Sequence, residues 1–170
     1  ENLLSWQPSG LILTCGNEHN DKTRRLLESR PCPIVEIWDV DDALFDAKVG
    51  FSHRNAGWMM AEHLLERGRR NFGFVGSRLH KDLCAAGRYD GFRERLARDG
   101  LPLEAVLMDD GPRGVQDGIE GTRQLLERCR TVDAIYYIND LMAVGGLTYL
   151  HRNNVPVPDQ IAIAGFNGTV

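Results

Sequence analysis

An apolar run, "LILT" (11–14), leads into Gly16-x-x-x-x-Asp21-Lys22-Thr23, one defined position away from the phosphate-binding loop Gly-x-x-x-x-Gly-Lys-Thr. That loop works because its second glycine lets successive backbone amides wrap the phosphate oxygens. Here the position holds Asp21, whose carboxylate would repel a polyphosphate, and no acidic strand motif is placed to hold magnesium. The segment is expected to bind no nucleotide, with Asp21 instead capping the helix "KTRRLLESR" through its first free amides. Other catalytic arrangements fail on the same inspection. The dinucleotide fingerprint G-x-G-x-x-G and the hydrolase elbow G-x-S-x-G are both missing. His53, His63, His80 and His151 pair with no cysteine or glutamate at zinc spacing. His63 reads as structural and His19 as exposed. No catalytic set, metal site or cofactor site assembles, and the chain is read as a non-enzyme.

A different chemistry shows in the residues just past each apolar run. Cys15-Gly16-Asn17 come after "LILT", Asp39 after "PIVEIW" and Ser77-Arg78 after "NFGFVG". Asp109-Asp110 come after "AVLM", Asn139-Asp140 after "AIYYI" and Asn167 after "IAIAGF". In a parallel sheet these carboxyl ends share one edge, where open α/β sheets bind ligands. Any one of these residues could simply cap a helix or make a turn. Six together point to a polar ligand cleft.

Periodicity gives the elements that must position them. Strands are predicted at 11–14, 33–38, 48–51, 71–76, 105–109, 134–138 and 161–166, and helices near 22–29, 54–67, 82–99, 115–129 and 141–153. "AGWMMAEHLLERG" carries the helical period, with Gly68 as its C-cap. Strands alternating with helices specify βα units and a mainly parallel sheet. A net charge of −4 over 170 residues argues against a nucleic-acid-binding surface. No run approaches a membrane span, and "ENLLSWQPSG" is no signal peptide. Cys15, Cys32, Cys84 and Cys129 lack C-x-x-C spacing and read as reduced thiols of a cytoplasmic protein. The chain opens on a helical tail and stops after a strand with no covering helix, the pattern expected of a fragment of a longer protein.

Several segments together resemble the ligand-binding core of the LacI/GalR family of bacterial transcription regulators. "VGFSHRNAGWMMAEHLLERGRRNFGFVGS" is similar to the family block V-x-x-D-N-x-x-A-G-x-x-A-x-x-H-L-x-x-x-G-H-R-x-I-x-x-I-x-G. "RYDGFRERLARDGL", "DAIYYINDLMAVGGL" and "VPVPDQIAIAGFN" resemble R-x-x-G-F-x-x-A-L-x-x-x-G-L, D-A-I-x-x-x-N-D-x-M-A-x-G-x-L and V-P-x-D-I-x-V-x-G-F-D. "PSGLILT" and "PIVEIWDVDD" complete a match that runs through nearly the whole chain. "EIWD", "AVGF"-like and "AIAGFNGT" features look most like the gluconate-repressor branch.

The resemblance implies an α/β fold of the periplasmic-binding-protein-like type I, with parallel sheets flanked by helices in two lobes. Residues 1–47 would be part of the N-terminal lobe and 48–170 the C-terminal lobe. A DNA-binding helix-turn-helix would lie outside the chain. It further implies a homodimer, operator DNA reached through that missing domain, and a sugar or sugar-acid effector between the lobes. No cofactor and no membrane partner are implied. The family's cleft arginine falls on Arg88, its asparagine on Asn139, its G-F-D aspartate on Asn167 and its N-lobe aspartate on Asp39. Arg88 offers a five-donor fork for hydroxyls or a carboxylate, and Asn139 can donate and accept together. Having Asn167 instead of Asp, near Arg88 and Arg78 or Lys81, favours an anion such as gluconate. Trp38 either stacks on a sugar face or packs inward, and Trp58 belongs to core or interface. On the helix "LMAVGGLTYLHR", Met142, Val144 and Leu147 are dimer-interface candidates, against plain coverage of the sheet. Arg69, where the family has His, is expected to be structural. A transport-type periplasmic sugar-binding protein on the same fold is the alternative.

Overall fold

The computed structural model describes residues 4–14, 21–29, 32–41, 45–108 and 111–169. Every predicted strand and helix is present. The order is β1 (Leu11–Thr14), α1 (Asp21–Glu28), β2 (Ile34–Asp39), β3 (Ala47–Phe51), α2 (His53–Glu66), β4 (Phe72–Ser77), α3 (Leu83–Arg98), β5 (Leu103–Met108), α4 (Val115–Arg128), β6 (Ala134–Tyr137), α5 (Asp140–Arg152) and β7 (Ala162–Ala164). Cys15, Gly16, Asn17, His19, Asp109 and Asp110 lie outside the described residues. So does the side chain of Asp21, which opens α1.

The strands form two sheets, β1-β2-β3 and β5-β4-β6-β7, and every pairing is parallel. β3 hydrogen-bonds along β2 from Val35↔Ala47 to Asp39↔Phe51. The chain therefore passes from the first sheet to the second after Phe51. Ser52 alone separates β3 from α2. It caps α2 by accepting the Asn55 amide.

The four-stranded sheet is buried on both faces, which explains the continuous apolar runs of β4 and β6. Phe72 and Phe74 alternate onto one face against Phe92 and Tyr89 of α3. Gly73 lies against Leu125 and, with Gly121 beneath Val75, admits α4 to the other face. β6 splits the same way: Tyr136 meets Phe92, and the Tyr137 hydroxyl meets Thr122 of α4. Burying each such aromatic or aliphatic side chain contributes roughly 1.5–3 kcal/mol.

The helices then cross in two tight pairs, and each crossing is a reciprocal glycine contact. A Cβ on Gly57 of α2 would strike the Arg88 carbonyl oxygen of α3, and one on Gly91 of α3 would strike the Arg54 carbonyl of α2. Gly118 of α4 meets the Met142 carbonyl of α5 in the same way, and Gly145 meets the Val115 carbonyl. Gly145 thus serves the packing of α5 on α4, while Gly146 lies against Tyr137 of β6. Met142 is fully buried in the core cluster, so its side chain is a core residue and cannot be an interface contact. Val144 and Leu147 are half-buried on the same helix.

Arg69 is structural as expected: its guanidinium donates to the carbonyls of Pro158, Asp159 and Gln160, fastening the turn before β7. Trp58 is half-buried on α2, with Arg98 lying 4.3 Å over its ring. In the first sheet, the paired residues Glu36 and Lys48 form an inward-facing ion pair at 3.8 Å.

Gly91→Ala is expected to cost about 1–3 kcal/mol through overpacking against backbone. At roughly 2–4 °C per kcal/mol for a domain of this size, a thermal melt would register the loss. An unchanged melting temperature would show that α2 and α3 do not rely on this contact.

Candidate functional site

A cavity of about 400 Å³ opens at the carboxyl edge of both sheets. The first sheet contributes Trp38 of β2 and Phe51 of β3, and His53 begins the next helix. The second contributes Asp82, Cys84 and Arg88 from the start of α3, and Arg113 from the loop before α4. Ile138 and Asn139 after β6, and Phe166 and Asn167 after β7, complete it. Of the polar row read at the strand ends, Asn139 and Asn167 line this cavity, at the edge where parallel sheets bind ligands.

Arg88 is the centre of the cavity wall, and only 7% of it is exposed. Its Nη1 lies 2.8 Å from Nδ1 of His53, its Nη2 donates to the Ile138 carbonyl at 3.2 Å, and its guanidinium sits 3.9 Å above the Phe166 ring. The buried Nε has no hydrogen-bond acceptor. No carboxylate pairs with this cation among the described residues. Burial holds the guanidinium below its ordinary pKa. Burial first, and then the Arg88 charge, hold His53 below the usual imidazole value; Asp39 and the Trp38 carbonyl act in the opposite sense. A neutral His53 presents the Nδ1 lone pair to Arg88. The Tyr136 hydroxyl beneath is pushed up to about 12 by burial, with Arg88 pulling the other way.

Arg113 is not anticipated from the sequence. It donates to the Ser77 carbonyl through Nε and Nη2, to the Arg78 carbonyl through Nη2, and pairs with Asp82 through Nη1. Its own carbonyl accepts from Nδ2 of Asn139. Asn139 caps α5 by accepting the Met142 amide through Oδ1. Asp140 next to it accepts the Thr169 amide and hydroxyl, anchoring the segment that carries Phe166 and Asn167. Three lining residues, Trp38, Arg113 and Asn167, have positive φ values of 88°, 60° and 115°. Non-glycine residues held this way cost about 1–3 kcal/mol each and gather at functional sites. Trp38 can hold that turn because Gly50 lies opposite it on β3; a Cβ there would strike the Trp38 backbone.

Of the residues expected to bind ligand, the cavity brings together Arg88, Asn139, Asn167 and Trp38. Trp38 is 59% exposed and faces the cavity, not the packing beneath it. Asp39 is buried outside the lining, accepting the Asp41 amide. Arg78 is exposed and also outside the lining; Arg113 supplies the second cation in its place. His53 is missing from the expected set although the rule that finds the others would reach it: Ser52-His53 come directly after the strand that forms β3. Arg113 sits further along its loop, where only the fold brings it back to the edge.

Comparison with known proteins places this geometry. The family model of the periplasmic binding protein-like domain matches residues 61–170. The HTH-type transcriptional regulator GntR of Pseudomonas aeruginosa is 38% identical over 167 residues, 98% of this chain and 48% of that protein. The HTH-type transcriptional regulator GntR of Escherichia coli is 32% identical over 168 residues, 99% of this chain and 50% of that protein. Among solved structures, a LacI-family transcriptional regulator from Silicibacter pomeroyi superposes with a TM-score of 0.89 at 40% identity, covering 98% of this chain and 50% of that one. The chain spans about half the length of the curated relatives it matches.

Since His53 has a lower pKa folded than unfolded, it adds stability above the unfolded imidazole value, about 6.5, and that contribution is lost as pH falls below it. Thermal stability measured from pH 7.5 to 5.5 should therefore decline, and His53→Gln should flatten the decline. An identical slope in the variant would show that His53 takes no part.

Proposed function

The chain belongs to the periplasmic binding protein-like domain family, in the form carried by LacI-family transcription regulators, and we propose that it senses a small sugar acid for a cytoplasmic repressor. Arg88 is the observation that carries the acid: a cation almost wholly removed from water, with donors to spare and no carboxylate paired to it among the described residues. Two of the five N–H donors of its guanidinium are engaged in hydrogen bonds. A ligand carboxylate accepts two of the remaining three donors in a fork geometry and supplies the missing charge. Asn167 supports the same reading, because an aspartate there would set a second negative charge against the incoming acid. Trp38, exposed across the cavity, offers a face for the C–H side of a polyol chain. Gluconate fits these features in charge, size and hydroxyl content.

In this reading the lobes meet at the cavity and are joined through Ser52, so ligand held by Trp38 and Arg88 together favours their closed arrangement. Closure would be passed through a homodimer, with Val144 and Leu147 on α5 at its interface, to DNA-binding heads outside this chain.

Isothermal titration of the full-length protein against gluconate, other aldonates and matched neutral alditols tests the proposal. Arg88→Ala should lose about 2–5 kcal/mol of acid binding, a drop of roughly 30-fold or more. Asn167→Asp should weaken the acid more than the alditol. Binding of neutral sugars only, or equal effects of Asn167→Asp on both ligand types, would overturn the acid assignment.

A further inference from the structure

The cavity holds two arginines, and they differ in what each has left to give. Arg113 has four hydrogen bonds to protein, two to the Ser77 carbonyl, one to the Arg78 carbonyl and one to the Asp82 carboxylate. Its charge is neutralised on the spot by Asp82. Arg88 has no ion-pair partner among the described residues, its Nη1 meeting the His53 imidazole instead, although the Asp82 charge also reaches it through space. The lining therefore offers a ligand one unmatched positive charge in total: two guanidinium groups against one carboxylate.

Neither member of the Arg113–Asp82 pair is at liberty to leave. Asp82 caps α3, its Oδ1 accepting the Ala85 amide at 2.9 Å while Oδ2 meets Arg113. Swinging the carboxylate away would uncap a 16-residue helix. Arg113 is fixed at both ends, by its guanidinium bonds and by the Asn139 amide on its carbonyl. A second anionic group on the ligand would thus meet Arg113 only with the Asp82 carboxylate already on it.

We infer that Asp82 is a specificity-determining residue that restricts the cavity to singly charged acids and turns away dicarboxylates and phosphate esters. A monoacid places its carboxylate on Arg88 and its hydroxyls toward Asp82, where a carboxylate accepts from them. A diacid of the same length brings a second charge into repulsion with Asp82 at that end. This inference rests on the acid-sensing reading above and deepens it.

The test compares two six-carbon polyol acids of matched length, the monoacid gluconate and the diacid glucarate, by titration calorimetry on the full-length protein. The wild type should bind gluconate at least tenfold more tightly than glucarate. Asp82→Asn retains a side-chain oxygen suited to capping α3 and unmasks the Arg113 charge, so the preference should shift toward glucarate by tenfold or more. Adding Arg113→Gln to Asp82→Asn should return the preference to the monoacid. If Asp82→Asn does not fold by circular dichroism, Asp82→Ser, also a good cap, is measured with the same expectation. Gluconate bound but not preferred by the wild type, or a preference unmoved in the variant, overturns the role of Asp82 and leaves the acid sensor standing. Failure of the wild type to bind either acid overturns the acid sensor itself, and this inference with it.

Discussion

A guanidinium taken out of water without an anion beside it sets the terms for everything around it. Leaving a charge in that state costs several kcal/mol unless neighbouring dipoles compensate. Arg88 is compensated in parts: an imidazole lone pair, a backbone carbonyl and the face of an aromatic ring. Each part fixes an element. The imidazole ties the start of α2 to α3, the carbonyl ties the end of β6, and Phe166 requires the segment after β7 to fold back over the cavity. The close approach of α2 and α3 through Gly57 and Gly91 makes the first of these possible, since Arg88 and Arg54 are the residues whose carbonyls the glycines admit.

Around that cation the cavity is divided into a frame and a working surface. Asn139, Asp82 and Arg113 have most of their polar atoms bound to backbone or to each other. Asn139 is both the cap of α5 and part of the cavity wall. Arg88 and the exposed Trp38 and Asn167 retain capacity for a ligand. The positive φ angles at Trp38, Arg113 and Asn167 mark where the backbone gives up local comfort to hold this arrangement.

Most of the fold is legible in the sequence because its signals are local. Apolar runs of strand length, helical periodicity and polar residues after each strand all sit within a few residues of one another. The features that escape depend on distance. The register of β3 with β2 is invisible in the strand's own residues. Met142 reads as part of an outward stripe, yet Gly118 and Gly145 draw α4 against α5 and the side chain is sealed in the core. Arg113 reaches the cavity only because Ser77 and Asp82, more than thirty residues earlier, receive its guanidinium. Arg78 carries the right charge in the right sequence position, but its backbone turns left-handed and leaves the side chain in solvent.

The reciprocal glycine contacts recur on both faces of the four-stranded sheet, joining α2 to α3 and α4 to α5. At these glycines the helices touch backbone to backbone, with no side chain between them to re-pack. Arg88 of α3 is thereby held against α2, and α2 begins one residue from the other sheet. Contact built from the smallest residue is what sets the Arg88 helix so near so short a tether.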